Sequence, residues 1–273
     1  MKTKRKIKWK NIIYLLILLL LIAIFIFSLI KIIIWFKDNK NNDKIIKNIN
    51  NIVNIEIVKD NDKTEVIEQE NINESNPYYD FIKMNLINVD FNELKKQNKD
   101  TVGWIQVKGT NINYPFVKTI NNDYYLNHSF DKSINSAGWV FLDYRNNVED
   151  FNQNTIIYAH GRLNKTMFGT LRNILNSSWL HETNNHVIKL STEYENTLWQ
   201  VISVYKIPVT DDYLQINFDD GEFKKFGDML INRSAYNFNT NITDNDKIIT
   251  LSTCYDDNTR VVLHAKLIKR EKK

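Results

Sequence analysis

The chain has 273 residues, of which 43% are hydrophobic and 25% charged, which is typical of a globular protein and excludes a wholly disordered chain. Its seven Gly and three Pro exclude collagen-like and Gly/Pro-rich linker architectures. The formal net charge is +4, but six of the 36 basic residues lie within the first ten positions. Removing these six from the 36 leaves 30 basic residues against 32 acidic ones. This balance argues against nucleic-acid binding, because no general basic excess is present to neutralise phosphates.

A long apolar segment comes directly after the basic block. It runs from Ile12 to Phe36 and is interrupted only by Tyr14, Ser28 and Lys31. A transmembrane helix needs about 20 apolar residues, so we predict a membrane-spanning signal-anchor at residues 12–36. Flanks rich in Lys and Arg stay in the cytoplasm, which predicts a cytoplasmic basic segment at 1–11 and an extracellular remainder. The alternative is a cleaved signal peptide, but its apolar region normally covers about 7–15 residues and ends at a small-residue site, which this segment lacks.

Residues 37–76 differ in composition from the C-terminal part of the chain. They are dominated by Asn, Lys, Asp, Glu and Ile, and positions 38–75 contain no Trp, Phe or Tyr. We therefore predict a stalk or linker that holds a domain away from the membrane. Ile45, Ile49, Ile52 and Val53 recur with helical spacing, so the stalk could include one amphipathic helix.

The remaining chain, residues 77–273, is predicted to form one mainly β domain. Residues 77–100 carry apolar side chains at spacings of three and four, which favours one or two short helices. From residue 101 to 270 the pattern changes to short β-branched and aromatic runs typical of a barrel or sandwich. Eight strands are predicted: Val102–Val107, Ile112–Val117, Gly138–Tyr144, Thr155–His160, His186–Leu190, Leu198–Val209, Lys247–Cys254 and Arg260–Ile268. Helical patterns interrupt them at Met167–Leu180 and at Glu222–Tyr236, the latter between strands six and seven.

Cys254 is the only cysteine, so an exported chain would carry an unpaired thiol. It ends the strand Thr250-Leu251-Ser252-Thr253-Cys254, and Arg260 begins the next strand. If these strands are antiparallel neighbours, the thiol and the guanidinium lie close together. A nearby cation favours the thiolate, which is the nucleophilic form. The alternative is a buried cysteine that packs as a small hydrophobic residue.

An acid/base is the remaining requirement for cysteine chemistry. The strand that begins at Thr155 delivers His160 to its own end, directly before Gly161. A histidine at a strand end beside a flexible loop is well placed to face a groove. The residues alone therefore indicate a Cys/His/Arg site assembled from three strand ends.

These features resemble the sortases, bacterial cysteine transpeptidases that attach proteins to the cell wall. The resemblance rests on the TLxTC signature at Thr250–Cys254, on His160 and on Arg260, and it covers about residues 77–270. The runs Tyr124–His128 and Phe141–Asn146 are similar to class B in particular. The implied fold is an eight-stranded sortase-type β-barrel with an N-terminal helical cap and a helix between strands six and seven. The Cys-to-Arg loop is shorter than in some class B members, so no contacts are carried over to residues 255–259.

The resemblance also implies a reaction. The Cys254 thiolate would attack the carbonyl after the Thr of an Asn-Pro-x-Thr sorting motif, Arg260 would stabilise the oxyanion, and His160 would protonate the leaving amine. An amine of the cell wall precursor (lipid II), or a pilin lysine, would then resolve the thioester. The implied location is the outer face of a Gram-positive membrane, and no cofactor is expected. A pilin-polymerising sortase, a tethered cysteine peptidase that only hydrolyses, and a non-enzymatic binding domain remain as alternatives.

The resemblance to the sortases also implies a set of substrate-binding residues. Most of them could instead have a purely structural role. Leu126 and Leu214 could be core residues, and Ser252 a hydroxyl satisfied within its strand. Asn122 could serve as a turn former. With Tyr213, these residues make the predicted sorting-motif pocket.

Other polar residues are assigned to structural roles. His264 would lie about 13 Å along its strand from Arg260, too far for one compact site. His181 and Glu182 begin a sequence similar to HExxH, but the second histidine is one residue late, so no metal is expected. His128 is predicted to be a solvated loop residue. The paired aspartates lack the alternating spacing of a calcium loop.

Overall fold

The computed structural model describes residues 9–67, 76–256 and 258–273. These residues form two compact units, one comprising residues up to Lys44 and the other Ile45–Lys273. Most of the N-terminal basic block, from Lys2 to Lys8, lies outside the described residues.

The first unit consists of most of one long helix, α1, which extends over Trp9–Ile52. Its side chains between residues 12 and 36 are largely exposed, including Leu20 at 61% and Phe27 at 62%. Such a continuous apolar surface is unstable in water. Among the described residues, α1 is the helix long and apolar enough to cross a membrane, in agreement with the predicted segment.

The described part of the second unit contains eleven strands. In chain order they are β1 (Asn54–Val58), β2 (Thr64–Val66), β3 (Leu86–Asp90), β4 (Thr101–Val107), β5 (Asn113–Val117), β6 (Phe141–Leu142), β7 (Asn154–Tyr158), β8 (Val187–Thr192), β9 (Glu195–Pro208), β10 (Ile248–Cys254) and β11 (Thr259–Lys272). The last eight of these correspond to the eight strands predicted from the sequence.

Strands β4 to β11 close into a barrel. Their order is β10-β7-β6-β5-β4-β8-β9-β11, and β11 returns to pair with β10. The pairs β5–β6 and β7–β10 are parallel, whereas the other barrel pairs are antiparallel. The interior is filled by fully buried side chains such as Ile105, Phe116 and Trp199. The predicted eight-stranded barrel is therefore confirmed.

Part of the segment expected to be a stalk belongs to the barrel unit. Ile45 and Ile49, at the end of α1, are buried in the core of this unit. Strand β1 pairs with β3, and β2 pairs with the outer edge of β11. The segment was predicted to be a stalk because it lacks aromatic residues, but its isoleucines pack into the core instead. Residues 68–75 lie outside the described residues.

The N-terminal cap contains a strand as well as helices. A 3₁₀-helix covers Tyr79–Lys83, and helix α2 covers Asn92–Gln97. Between them lies β3, where only helical structure was expected. The physical reason is that β3 pairs with β1 along its whole length, from Leu86 opposite Val58 to Asp90 opposite Asn54, so its backbone is extended.

The two predicted helical interruptions are both present. The first is divided into a 3₁₀-helix at Gly169–Leu175 and α3 at Ser177–Leu180. The second is α4 at Glu222–Asn232, between β9 and β10, the sixth and seventh barrel strands. Helix α4 packs Phe223 and Leu230 against β9 and β11 in a second apolar cluster. It anchors the long connection from β9 to β10 beside the barrel.

Candidate active site

Cys254 and Arg260 are direct cross-strand partners. Cys254 is the last residue of β10, and Arg260 is the second residue of β11. The antiparallel ladder aligns the two positions, and the Cys254 side chain is exposed. Nη1 of Arg260 donates to the carbonyl oxygens of Thr259 at 3.2 Å and Asp256 at 3.5 Å. The thiol and guanidinium are therefore neighbours at one end of the barrel, as the strand pattern predicts.

His160 reaches the same end because β7 runs parallel to β10. Tyr158, at the end of β7, is aligned with Ser252 on β10, so both chains leave the sheet on the same side. The Thr253 hydroxyl donates to the carbonyl of Ala159 at 2.8 Å. One residue after His160, a Cβ atom on Gly161 would come within 2.3 Å of the Cys254 carbonyl oxygen. Only glycine allows this close approach of the two segments.

The His160 ring is oriented by a backbone carbonyl. Its Nε2 lies 2.7 Å from the carbonyl oxygen of Leu126. Because a carbonyl only accepts, Nε2 carries the proton, and Nδ1 is the acceptor in the neutral ring. Gly138, with φ of 59°, packs against the His160 ring and the backbone beside it. A Cβ atom on Gly138 would lie 3.0 Å from Cδ2 of His160 and 2.5 Å from the Tyr125 carbonyl oxygen.

A cavity of about 300 Å³ opens at this end of the barrel. Its lining includes all eight residues singled out in the sequence, namely Asn122, Leu126, His160, Tyr213, Leu214, Ser252, Cys254 and Arg260. A second cavity, of about 400 Å³, shares His160, Cys254 and Arg260 with the first. The thiol, imidazole and guanidinium thus lie between two recesses.

The structure also bears on the alternatives for the pocket residues. Leu126 is 42% exposed, so it is not a core residue, whereas Leu214 is half-buried and both packs against the second apolar cluster and lines the cavity. The Ser252 hydroxyl is 2.9 Å from the Tyr213 hydroxyl, as expected for a satisfied strand hydroxyl that also lines the cavity. Burial raises the pKa of Tyr213, so its phenol is neutral and can donate.

Several residues around the cavity were not identified from the sequence. Asp143 is fully buried behind the lining, ion-paired with Arg145 at 2.8 Å. Both lie within the Phe141–Asn146 run, which was noted only for its family resemblance. Tyr158, Val209, Thr210 and Asp211 also line the cavity. An acidic and a basic residue two positions apart at a strand end could have indicated the ion pair, in which Asp143 is buried and Arg145 is exposed.

The other histidines have structural surroundings. His264 is completely buried between the Thr250 hydroxyl at 2.8 Å and the Tyr205 hydroxyl at 2.8 Å, and burial lowers its pKa to about 3. It is therefore neutral, in agreement with its predicted structural role. His128, expected to be solvated, is instead half-buried and stacked on Tyr124 with ring centroids 4.0 Å apart. His181 bonds through Nδ1 to the backbone of Ser177.

An exposed thiol beside an imidazole and a guanidinium can carry out acyl transfer through a thioester. The sortase domain family matches residues 105–268 of the chain. Sortase B of Staphylococcus aureus is 38% identical over 184 residues, which cover 66% of this chain and 75% of that protein.

Solved structures give the same result. Sortase B from Bacillus anthracis in complex with AAEK1 matches with a TM-score of 0.67 and 31% identity, covering 86% of this chain and 99% of that one. A sortase B complexed with triglycine matches with a TM-score of 0.62 and 37% identity, covering 66% and 85%. With a family match over more than half of its length and relatives above 30% identity, this chain belongs to the sortase family as a sortase B-like cysteine transpeptidase.

Proposed function

We propose that this protein is a membrane-anchored sortase that cleaves an Asn-Pro-x-Thr sorting motif after Thr. It then transfers the acyl chain to an amine of the cell wall precursor, so that surface proteins become attached to peptidoglycan. The observation that carries this proposal is the exposed Cys254 thiol at the end of β10, next to Arg260 and His160 on the wall of one cavity. These three residues are proposed to be catalytic.

The first half-reaction forms the acyl-enzyme. The Cys254 thiolate adds to the Thr carbonyl carbon, and the carbonyl oxygen becomes an oxyanion stabilised by the Arg260 guanidinium. Protonated His160 gives a proton to the leaving nitrogen as the C–N bond breaks. The products are a thioester on Cys254 and a free amine on the released peptide. Asn122, Leu126, Tyr213, Leu214 and Ser252 are proposed to hold the motif during this step.

The second half-reaction transfers the acyl group. An incoming amine attacks the thioester carbonyl, His160 takes up the amine proton, and the C–S bond breaks to regenerate the thiolate. The second cavity, which meets the first at the three catalytic residues, offers a separate path for this amine. That a related sortase B has been crystallised with triglycine supports a glycine-type amine as the acceptor.

The proposed location is derived from α1 and its flanks. The apolar segment 12–36 would span the membrane, the basic segment 1–11 would remain in the cytoplasm, and the catalytic domain at 77–273 would lie outside the cell. With this proposed topology, the catalytic domain would lie in the compartment where cell wall precursors are joined.

The proposal is tested with the full-length chain in detergent micelles, incubated with Asn-Pro-x-Thr peptides alone, with triglycine or with a lysine-containing peptide, and analysed by intact-protein mass spectrometry. Cys254→Ala is the matched control. The expected result is a thioester adduct on Cys254 that is converted to an amide product only when amine is added. Cleavage that is independent of amine would indicate a hydrolase, and preferential use of a lysine-containing peptide would indicate pilin polymerisation. Absence of any adduct would overturn the proposal.

A further inference from the structure

A buried carboxylate lies behind the cavity wall. Asp143 is 0% exposed and accepts five hydrogen bonds from the described residues. Three come from Arg145, through its backbone N at 3.0 Å, Nε at 2.9 Å and Nη2 at 2.8 Å. The other two come from Nδ2 of Asn122 at 3.1 Å and from the Tyr158 hydroxyl at 3.0 Å. Asn122 and Tyr158 line the cavity.

Arg145 extends this network to a second segment of the wall. Its guanidinium makes a bidentate contact with Asp143, and Nη2 also donates to the carbonyl oxygen of Leu214 at 3.1 Å. Leu214 belongs to the connection between β9 and β10, whereas Asn122 lies between β5 and β6. The planar, charged fork of arginine suits such a bridge. The Asp143–Arg145 pair thereby links two parts of the cavity wall that are distant in sequence.

The Asp143–Arg145 pair also determines which hydrogen-bond donors and acceptors Asn122 and Tyr158 present to the cavity. An ionised carboxylate only accepts hydrogen bonds, so Asn122 must turn its amide nitrogen toward Asp143. The Asn122 carbonyl Oδ1 accepts from the backbone N of Tyr144 at 2.9 Å, which confirms the orientation. One N–H of Asn122 then remains for the cavity. The Tyr158 hydroxyl proton is directed to Asp143, so its oxygen is left as an acceptor.

The network depends on Asp143 being charged. Burial alone would raise the pKa of this carboxyl, but the hydrogen bonds and charge of Arg145, with the bond from Asn122, outweigh burial and lower it. The carboxylate is thus ionised at neutral pH.

We propose that Asp143 and Arg145 are positioning residues that determine sorting-motif specificity, by holding Asn122, Tyr158 and Leu214 in fixed positions and orientations. Neither residue lines the cavity, yet their side-chain contacts converge on three residues that do. This inference rests on the proposed function, because it concerns recognition of the same peptide motif.

The test uses the full-length chain in detergent micelles with two variants. Arg145→Lys keeps the positive charge but lacks the bidentate fork and the reach to Leu214. Asp143→Asn keeps the shape but loses the ionised acceptor. Arg270→Lys is the matched control, because Arg270 forms an ion pair of 2.8 Å with Glu65 at the β2–β11 edge, among residues that line neither catalytic cavity.

Steady-state kinetics are measured with the motif peptide and with a peptide in which the motif Asn is replaced by Ala. We expect KM for the motif peptide to rise about tenfold or more in Arg145→Lys, while kcat changes less than about threefold. Discrimination between the two peptides should fall about tenfold. The rate of Cys254 alkylation by iodoacetamide should stay unchanged, because the thiol and His160 are not part of the network. A purely structural role would lower thermal stability without changing KM or discrimination in the folded protein.

The outcomes separate this inference from the proposed function. Arg270→Lys should keep the wild-type KM and discrimination. If wild type processes the motif peptide and Arg145→Lys also keeps both values, positioning by the Asp143–Arg145 pair is overturned. An activity-independent measurement is the NMR signal of the Asn122 side-chain amide, which should move in Asp143→Asn and not in Arg270→Lys. An unmoved amide would overturn the inference even if no peptide were processed, whereas a lack of processing alone would count only against the proposed function.

Discussion

Gly161 lies directly against Cys254, because a Cβ atom on Gly161 would come within 2.3 Å of the Cys254 carbonyl oxygen and 3.1 Å of the Thr253 hydroxyl. The parallel pairing of β7 with β10 creates this contact. Gly161 comes directly after His160 in the chain, so the contact sets the separation between the proposed acid/base and the nucleophile. The backbone here needs glycine for space rather than for a left-handed conformation, since Gly161 is not among the positive-φ glycines.

We expect Gly161→Ala to reduce transpeptidation strongly. The added methyl group must push the two strand ends apart, and a misplacement of about 1 Å between reacting groups can lower rates roughly 100-fold. Peptide turnover measured by chromatography would check this. The control is Gly221→Ala at the start of α4, where φ is 75° and no atom lies within 4 Å of the added Cβ. That variant should lose about 1–2 kcal/mol of stability from its backbone conformation and keep its turnover. Wild-type turnover in Gly161→Ala would contradict the role of this contact.

Replacement of Arg260 tests oxyanion stabilisation. Removing one oxyanion donor from an acyl-transfer enzyme lowers kcat by roughly 10²–10³. We expect a loss of this size in Arg260→Ala, with circular dichroism spectra and thermal unfolding close to wild type, because the described hydrogen bonds of the guanidinium go only to carbonyls of its own turn. The rate of thioester formation in a single turnover is the direct measurement. Unimpaired thioester formation would exclude this role for Arg260.

The sequence was most informative about the strands that carry the site. The runs ending at Cys254 and His160 are short, rich in β-branched residues and followed by turn-forming residues, so both strand ends could be predicted. The sequence did not reveal that β7 and β10 are parallel neighbours, because this pairing joins segments about 90 residues apart. The contact between Gly161 and Cys254 depends wholly on that pairing.

The features that escaped prediction have identifiable physical causes. A run of five residues is too short for its apolar spacing to distinguish a helix from a strand, and β3 is a strand because it pairs with β1. Asp143 and Arg145 are two residues apart in a loop, where such a pair is usually solvated. Burial of Asp143 results from contacts with Asn122 and Tyr158, which local sequence patterns do not encode.

The ring of Tyr255, the residue after the proposed nucleophile, contacts two cations. The guanidinium of Arg172 lies 4.9 Å from its ring centroid, and the ammonium of Lys206 lies 3.8 Å from it. The Tyr255 backbone N donates to the Thr259 carbonyl at 3.0 Å, which closes the turn between β10 and β11.

We expect Tyr255→Leu to loosen this turn, because leucine offers no π-face to either cation. Hydrogen exchange of the backbone amide at position 255 should accelerate roughly tenfold, in line with the loss of two cation–π contacts. Tyr255→Phe keeps the aromatic face and should exchange at the wild-type rate. Equal exchange rates in the leucine and phenylalanine variants would show that the cation–π contacts do not stabilise the turn, because Arg172 also donates to the Tyr255 carbonyl in every variant.

The stability of the barrel should fall in mild acid because of His264. Burial, aided by the positive charge of Arg233, lowers the pKa of His264 to about 3, against an unperturbed value of 6.5. Below pH 6.5 the unfolded chain therefore takes up a proton that the folded barrel excludes. The free energy of unfolding is at its full value above pH 6.5 and falls by about 1.4 kcal/mol for each pH unit below it, until about pH 3. His186, whose pKa burial lowers to about 4, contributes in the same direction.

Urea unfolding of the full-length chain in detergent, followed by tryptophan fluorescence at pH 7.5, 6 and 5, measures this dependence. His264→Asn removes one of the two buried histidines. As the pH falls, the free energy of unfolding of this variant should therefore decline less steeply than that of wild type, by about 1.4 kcal/mol per pH unit. Only the slope is informative, because the substitution also changes the hydrogen bonds to Thr250 and Tyr205 at every pH. Parallel pH profiles for wild type and His264→Asn would mean that His264 accepts a proton in the folded barrel, in contradiction to its placement between two neutral hydroxyls.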